Sequence, residues 1–348
     1  MPDGKILTSS TRWPGVERKA ITLSQQDLVK IDGLDTGKPL PLMVEAVVSG
    51  VDLGAWAISN REYIQKSILQ YGGILFRNFH VNALGEFEQF IKVVAGELLE
   101  YRERSSPRSQ VSGNVYTSTD HPADQTIFLH NENSYQNTWP LKIFFYCHTP
   151  ADTGGETPIA DCRQVFQRID PKIKQRFVEK KWMYMRNFGD GFGLPWQTVF
   201  QTNSRAVVEE HCRQSGIVAE WKDKNRLRTR AVRSVVARHP GAGDMVWFNH
   251  ATFFHVTTLE PAIREALLAE FLEDDLPVNS YYGDGSPIEA SVLAELRGLY
   301  LEATTRFSWQ QGDVLMLDNM IAAHGREAYS GPRKILVGMA EPFGRHNI

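Results

Sequence analysis

Residues 309–319 read Trp309-Gln310-Gln311-Gly312-Asp313-Val314-Leu315-Met316-Leu317-Asp318-Asn319, and lead through His324-Gly325-Arg326 to Ser330-Gly331-Pro332-Arg333. Gly312-Asp313 is a turn signal, and residues 314–317 are a short apolar run, the pattern of a buried strand. Asp318-Asn319 is its polar end, where a ligand can be presented. Another such run, 334–339, opens directly after Arg333. Working outward, similar runs occupy 73–79, 142–147, 157–160, 182–187, 232–237 and 245–249, separated by Gly, Pro and Asp. Many short strands that do not alternate regularly with helices predict a mainly β fold with helical decoration. A barrel or jelly roll fits this better than a doubly wound parallel sheet.

Helices are predicted at four places. Asn60 reads as the N-cap of a helix carrying Ile64, Ile68 and Leu69 and ended by Gly72-Gly73. Phe87, Phe90, Ile91 and Val94 make one apolar face over 83–98, read as core packing. Pro171 follows the N-cap Asp170, and a fourth helix is expected over 261–272. No linker divides the chain. One domain over 1–348 is expected, with a loosely ordered lead-in at 1–55 and a helical insert at about 163–225.

The 348 residues carry 38 Lys+Arg and 41 Asp+Glu, a formal charge of −3. That excludes the basic footprint of a nucleic-acid-binding protein. With 42% hydrophobic and 23% charged residues the chain has an ordinary globular composition, so disorder is not its dominant state. Cys147, Cys162 and Cys212 are too few and too irregular for a disulfide framework. No signal peptide or membrane span is legible, so a cytoplasmic address without a membrane partner is expected.

The chemistry points to His130-Asn131-Glu132. On a strand, residues i and i+2 share a face, so an imidazole and a carboxylate there can grip one ion. With 10 His and 41 acidic residues, chance supplies about one His-x-Asp/Glu, and one occurs, so the motif alone decides nothing. A second histidine, His324, and Arg333 nine residues later raise its weight. Two His and one carboxylate leave positions open on a metal and suit non-haem Fe(II) oxygen chemistry. An Arg fork matches a carboxylate. Two His and one Glu also suit zinc, which keeps a zinc hydrolase open beside a non-catalytic binding protein.

His250 and His255 are weighed as ligands and read instead as satisfied or pocket-lining. His121, His148 and His239 are left as structural. Arg186 precedes a Gly-rich segment that fits a lid or a solvated loop. Arg228, Arg230, Arg233 and Arg238 fit an anion anchor or a solvated strand face.

Taken together, certain segments resemble the TauD/TfdA branch of the Fe(II)/2-oxoglutarate-dependent dioxygenases, and within it the syringomycin-type amino-acid hydroxylases of nonribosomal peptide pathways. They are His130-Asn131-Glu132-Asn133-Ser134-Tyr135, Gly154-Gly155-Glu156-Thr157-Pro158-Ile159-Ala160-Asp161, Arg186-Asn187-Phe188-Gly189-Asp190, Trp247-Phe248-Asn249-His250 and 318–333. The match spans roughly residues 60–343 in the family's order. The resemblance implies a double-stranded β-helix, cupin-like, with iron at one mouth. It implies His130, Glu132 and His324 as the metal ligands and catalytic set. It implies Arg333 and Thr157 as the groups holding the distal carboxylate of 2-oxoglutarate, with O2 as the other cosubstrate. Glu132 stands where many relatives have Asp; because a carboxylate is present, halogenation is not expected.

The same resemblance implies hydroxylation of an unactivated C–H in an amino acid, free or loaded on a peptidyl carrier protein, in the biosynthesis of a secondary metabolite such as an antibiotic. Desaturation, cyclisation and another small acidic substrate stay open, as does a homo-oligomer. Asn133, Arg186, Arg230 and His250 are the candidate substrate contacts.

Overall fold

The structure, a computed structural model, describes residues 28–34, 37–81, 83–100, 109–118, 121–189 and 191–345. Val314–Asp318 is a strand paired antiparallel with Gly73–Arg77 on one side and Thr138–Thr149 on the other. Its side chains alternate. Val314 and Met316 pack with Phe76, Phe144 and the helix residues Ile68, Phe87 and Phe90, whereas Leu315 and Leu317 pack with Leu75, Ile143 and Phe145 on the opposite face. Both faces are covered, so the sequence shows an unbroken apolar run rather than an alternation.

This strand lies within an eight-stranded sheet. Its order is Val29–Gly33, Leu42–Ala46, Gly73–Arg77, Val314–Asp318, Thr138–Thr149, Lys334–Gly344, Val115–Thr117 and Gln110–Ser112. A smaller sheet runs Thr304–Thr305, Ile159–Asp161, Ala322–Arg326 and Ile127–His130. Ile159 and Ala322 of the small sheet share one apolar cluster with Leu315, Ile335 and Val337 of the large one. The two sheets therefore close face to face as the double-stranded β-helix, mostly antiparallel and decorated by helices. A third sheet, Ile217–Trp221, Leu227–Arg233, Trp182–Phe188 and Val278–Tyr282, lies outside this pair.

Several elements differ from expectation. Asn60 stands between helices Leu53–Ser59 and Arg61–Tyr71, and its side-chain amide donates to the Trp56 carbonyl. Asn60 is the N-cap residue of the second helix, as expected, with its carbonyl accepting from the Ile64 N–H, but its side chain makes no capping bond there and instead closes the first helix, which the sequence did not reveal. Gly72 does end the second helix, at φ 80°. The run expected over 232–237 is broken in two: the Ser234 hydroxyl bonds the backbone of Val236 and interrupts the ladder between Leu227–Arg233 and Val236–Arg238.

Within the expected lead-in, Val29–Gly33 and Leu42–Ala46 are strands of the large sheet, and residues 1–27 and 35–36 lie outside the described residues. The stretch over 163–225 holds strands Trp182–Phe188 and Ile217–Trp221 as well as helices. None of the described helices is long and apolar enough to cross a membrane.

The turn after Val314–Asp318 is anchored by charge. Asp318 is fully buried; Lys142 Nζ lies 2.8 Å and His239 Nε2 3.0 Å from its Oδ2, while the N–H groups of Met320 and Ile321 donate to Oδ1. Burial pushes this carboxyl's pKa up, but Lys142 and His239 outweigh it and hold it well below the usual carboxylate range. His239, read as structural, is so. Removing one partner of a buried pair strands the other. Lys142→Met should therefore lower stability by about 3–5 kcal/mol, seen as a lower urea midpoint at unchanged slope; an unmoved midpoint would show that the pair contributes nothing.

Candidate functional site

His130 ends the Ile127–His130 strand, and His324 lies in Ala322–Arg326. The strands pair antiparallel with the two histidines directly opposite one another. Opposed residues share a face, and the ring centroids are 4.6 Å apart. Glu132 arrives by a different route from the expected strand alternation. The strand stops at His130, and residues 132–135 form a turn in which Asn133 takes φ 56°.

Asn319 clasps that turn. The Glu132 N–H donates to Asn319 Oδ1 at 2.7 Å, and Asn319 Nδ2 donates to the carbonyls of Glu132 and Pro140, both at 2.9 Å. Asn131 Nδ2 donates in turn to the Asn319 carbonyl at 2.7 Å. Asn131 and Asn319 are fully buried.

His130, Glu132 and His324 each offer a ligand atom, and these atoms lie within 4.8 Å of one another. His324 Nε2 is 4.0 Å from Glu132 Oε2, too far for a hydrogen bond. Two ligands each about 2.0–2.2 Å from one ion sit about 3–4 Å apart, so the spacing fits an ion between them. His130 Nδ1 lies 2.9 Å from the Phe128 carbonyl. A carbonyl only accepts, so Nδ1 carries the proton and Nε2 is the bare donor a metal takes.

The three residues line a cavity of about 420 Å³ together with Thr157, His250 and Arg333. Its inner wall is aromatic: Phe253 lies 4.5 Å from the His130 ring and Phe145 5.1 Å from that of His324. Arg333 donates from Nε to the Gly155 carbonyl at 2.9 Å and from Nη1 to Ser118 Oγ at 3.3 Å. Gly155 takes φ 74°, a left-handed conformation that favours glycine, and a Cβ there would stand 3.0 Å from this side chain. Among the described residues no carboxylate pairs with Arg333, and burial, then Arg326, brings its pKa down to about 10. Thr157 is buried, and Trp309 Nε1 donates to its Oγ1 at 3.1 Å.

Arg326 also lines the cavity, but its fork is committed to carbonyls of His121, Pro122 and Gln125. Of the candidate substrate contacts, Asn133 and His250 line the cavity. His250 is held by Ser134 Oγ at 2.5 Å from its Nδ1; burial, then His130, pushes its pKa well below the usual imidazole value.

Arg186 and Arg230 are not among the lining residues. Arg186 lies over the Phe188 ring, and its strand neighbour Val278 does line the cavity. Arg230 pairs with Glu220 at 2.9 Å on the outer sheet, where a cross-strand acid satisfies it. Arg228 is likewise spent on Asn187, Asp274 and Asp275. His121, read as structural, is a wall residue. Asn319 and Trp309 lie within the motifs above, yet the sequence gives neither a role; a lone Asn at a strand end and a lone Trp before a turn carry no local signal of a distant partner.

Comparison with known proteins bears on this arrangement. A family model described as "Taurine catabolism dioxygenase TauD, TfdA family" matches residues 36–340. The chain is 40% identical over 309 residues to the dapdiamide synthesis protein DdaC of Enterobacter agglomerans, covering 89% of this chain and 93% of that protein. It is 26% identical over 322 residues to a clavaminate synthase-like protein of Arabidopsis thaliana, covering 87% and 94%. Among solved structures, PvcB of Pseudomonas aeruginosa superposes with a TM-score of 0.55 at 16% identity, over 92% of this chain and 93% of that one. At that identity the likeness is one of fold.

His255 follows the lining residues Phe253 and Phe254 in the chain and is not itself among the residues that line the cavity. It caps the 3-10 turn Val256–Thr258, its Nδ1 accepting from the Thr257 N–H at 3.2 Å. Burial, then Arg297, lowers its pKa to about 4, against about 6.5 in an unfolded chain. Between those values the unfolded chain binds a proton that the folded one does not, so stability falls as pH drops. The slope should be about 1.4 kcal/mol per pH unit from this group, with His250 adding in the same sense. His255→Asn, which keeps a capping side chain, should make the slope shallower in denaturant titrations between pH 6.5 and 4; an unchanged slope would show that His255 is not its source.

Proposed function

This chain belongs to the TauD, TfdA family of dioxygenases, which work with Fe(II), 2-oxoglutarate and O2, and from that premise we propose that His130, Glu132 and His324 hold the iron. The observation that carries the reading is the convergence of these three ligand groups within 4.8 Å at a cavity that also contains Arg333. Arg333 and Thr157 take the distal carboxylate of 2-oxoglutarate. A buried guanidinium with no carboxylate partner among the described residues supports that role, because such a cation gains most from an anion. A zinc hydrolase or a binding protein falls away with the family assignment.

When bound, iron and 2-oxoglutarate supply the oxidising chemistry, in which O2 yields succinate, CO2 and one oxygen atom for the substrate. The chain's own residues orient and enclose. The Phe128 carbonyl keeps the His130 proton on Nδ1 and leaves Nε2 for the metal. Asn319 holds the Glu132 backbone. Phe145 and Phe253 keep water from the reacting end.

The substrate is a small molecule, read as an amino acid or a carrier-loaded aminoacyl group that is hydroxylated in a biosynthetic pathway. The similarity to a protein named for dapdiamide synthesis supports a biosynthetic setting. Asn133 and His250 are the proposed contacts, being polar lining residues one position from Glu132 and packed against the His130 ring respectively.

Two experiments test this. Adding Fe(II) and then 2-oxoglutarate anaerobically should give a visible charge-transfer band that Glu132→Ala abolishes. His130→Ala and His324→Ala should end turnover, and Arg333→Ala should weaken 2-oxoglutarate binding about ten- to a hundredfold, the worth of a charge-assisted pair. No band in the wild type would overturn the ligand assignment. For the substrate, a panel of free amino acids and carrier-loaded thioesters, read by mass spectrometry, should show the gain of one oxygen mass in one class. Turnover confined to a sulfonate or an aryloxyacetate would overturn the amino-acid reading.

A further inference from the structure

We propose that Trp309 is a positioning residue for 2-oxoglutarate. Its indole N–H makes the Thr157 hydroxyl a dedicated donor toward the carboxylate held by Arg333. The inference rests on the proposed roles of Thr157 and Arg333 and adds what sets the polarity of that end of the cavity.

An indole N–H can only donate. In the 3.1 Å contact with Trp309, Thr157 Oγ1 is therefore the acceptor. Its single proton must point elsewhere, and Thr157 faces the cavity that Arg333 lines. The same logic applies to Ser118. A guanidinium only donates, so in its contact with Arg333 Nη1 the Ser118 oxygen accepts, and its proton is likewise turned outward.

Both hydroxyls beside Arg333 are thus polarised by donor-only neighbours. Each has one lone pair occupied and its proton turned away from that neighbour, so the proton is available to a ligand, and a carboxylate, which only accepts, is the complement. Without the indole N–H, the Thr157 hydroxyl is free to rotate and to offer a lone pair instead. Trp309 is held for this task by packing in the cluster between the sheets, with Phe307 at 4.9 Å between ring centroids.

The test is calorimetric titration of 2-oxoglutarate into the anaerobic Fe(II) protein, which reads binding rather than turnover. Trp309→Phe keeps an aromatic ring and removes the N–H. It should weaken binding about three- to tenfold, a fraction of the worth of one charge-assisted hydrogen bond. Thr157→Val should weaken it at least as much. The double variant should be no worse than Thr157→Val alone, because Trp309 acts through that hydroxyl.

Losses that add in the double variant would overturn the inference, since they would mean that Trp309 acts by packing. Unchanged binding in Trp309→Phe, with Thr157→Val and Arg333→Ala both weakened, would overturn it while leaving the cofactor reading intact. Unchanged binding in Arg333→Ala and Thr157→Val would instead overturn the reading beneath it. In the wild-type protein, independent of any variant's folding, the indole N–H resonance of Trp309 should shift when 2-oxoglutarate is added to the zinc-loaded form. A static resonance at saturation would count against the inference.

Discussion

The Asn319 amide joins two segments separated by 187 residues, and the site depends on that junction. On one side is the turn carrying Glu132; on the other is the strand end that leads to His324. Oδ1 takes the Glu132 N–H, and the two Nδ2 hydrogens take the carbonyls of Glu132 and Pro140. Every hydrogen of the amide is used, inside a region closed to water. An unmatched polar group there would cost about 1–3 kcal/mol, so alternative placements of the Glu132 turn are disfavoured. One residue earlier, Asp318 draws Lys142 and His239 onto the same turn. The apolar run 314–317 ends in a buried polar anchor, not in a solvent-facing loop.

This arrangement divides labour between two kinds of interaction. Apolar alternation brings the two sheets face to face, with Leu315, Ile335 and Ile159 in one cluster. That force is non-directional and tolerates small shifts. The polar clasp is directional and sets the positions of ligand atoms within a few ångströms. The arginines show the same economy. Arg228, Arg230 and Arg326 are each spent on carbonyls or carboxylates of the fold, whereas Arg333 has carbonyl, hydroxyl and aromatic-ring partners but no carboxylate among the described residues, which is what supports its proposed role.

Much of the β framework was legible because strand and turn signals are local. The runs at 142–147, 182–187 and 314–317 lie inside observed strands, and Gly72 ends its helix as its left-handed φ requires. Where reading failed, a side chain had acted on the backbone in a way no local pattern shows: Ser234 split one strand, and the Asn60 side chain turned back to close the unexpected helix Leu53–Ser59 instead of capping the helix that it precedes. The five residues proposed for the cofactor site, His130, Glu132, Thr157, His324 and Arg333, line one cavity. The assumed reason for Glu132 was wrong, however, since it lies on a turn and not on the strand. Arg186 and Arg230 could not be judged from sequence, because what engages each is a ring or a cross-strand acid.

By itself, the sequence determined the chemical inventory and the local geometry: which residues can ligate, which runs are strands and where turns fall. These follow from side-chain type and from the two-residue period of a strand. Only the tertiary structure decided who meets whom. It set His324 opposite His130, Asn319 against Glu132 and Trp309 against Thr157. The physical reason is that register between distant strands is chosen by burial and hydrogen-bond satisfaction over the whole core. A shift of one residue would turn every inward side chain outward, and no local window of sequence contains that comparison.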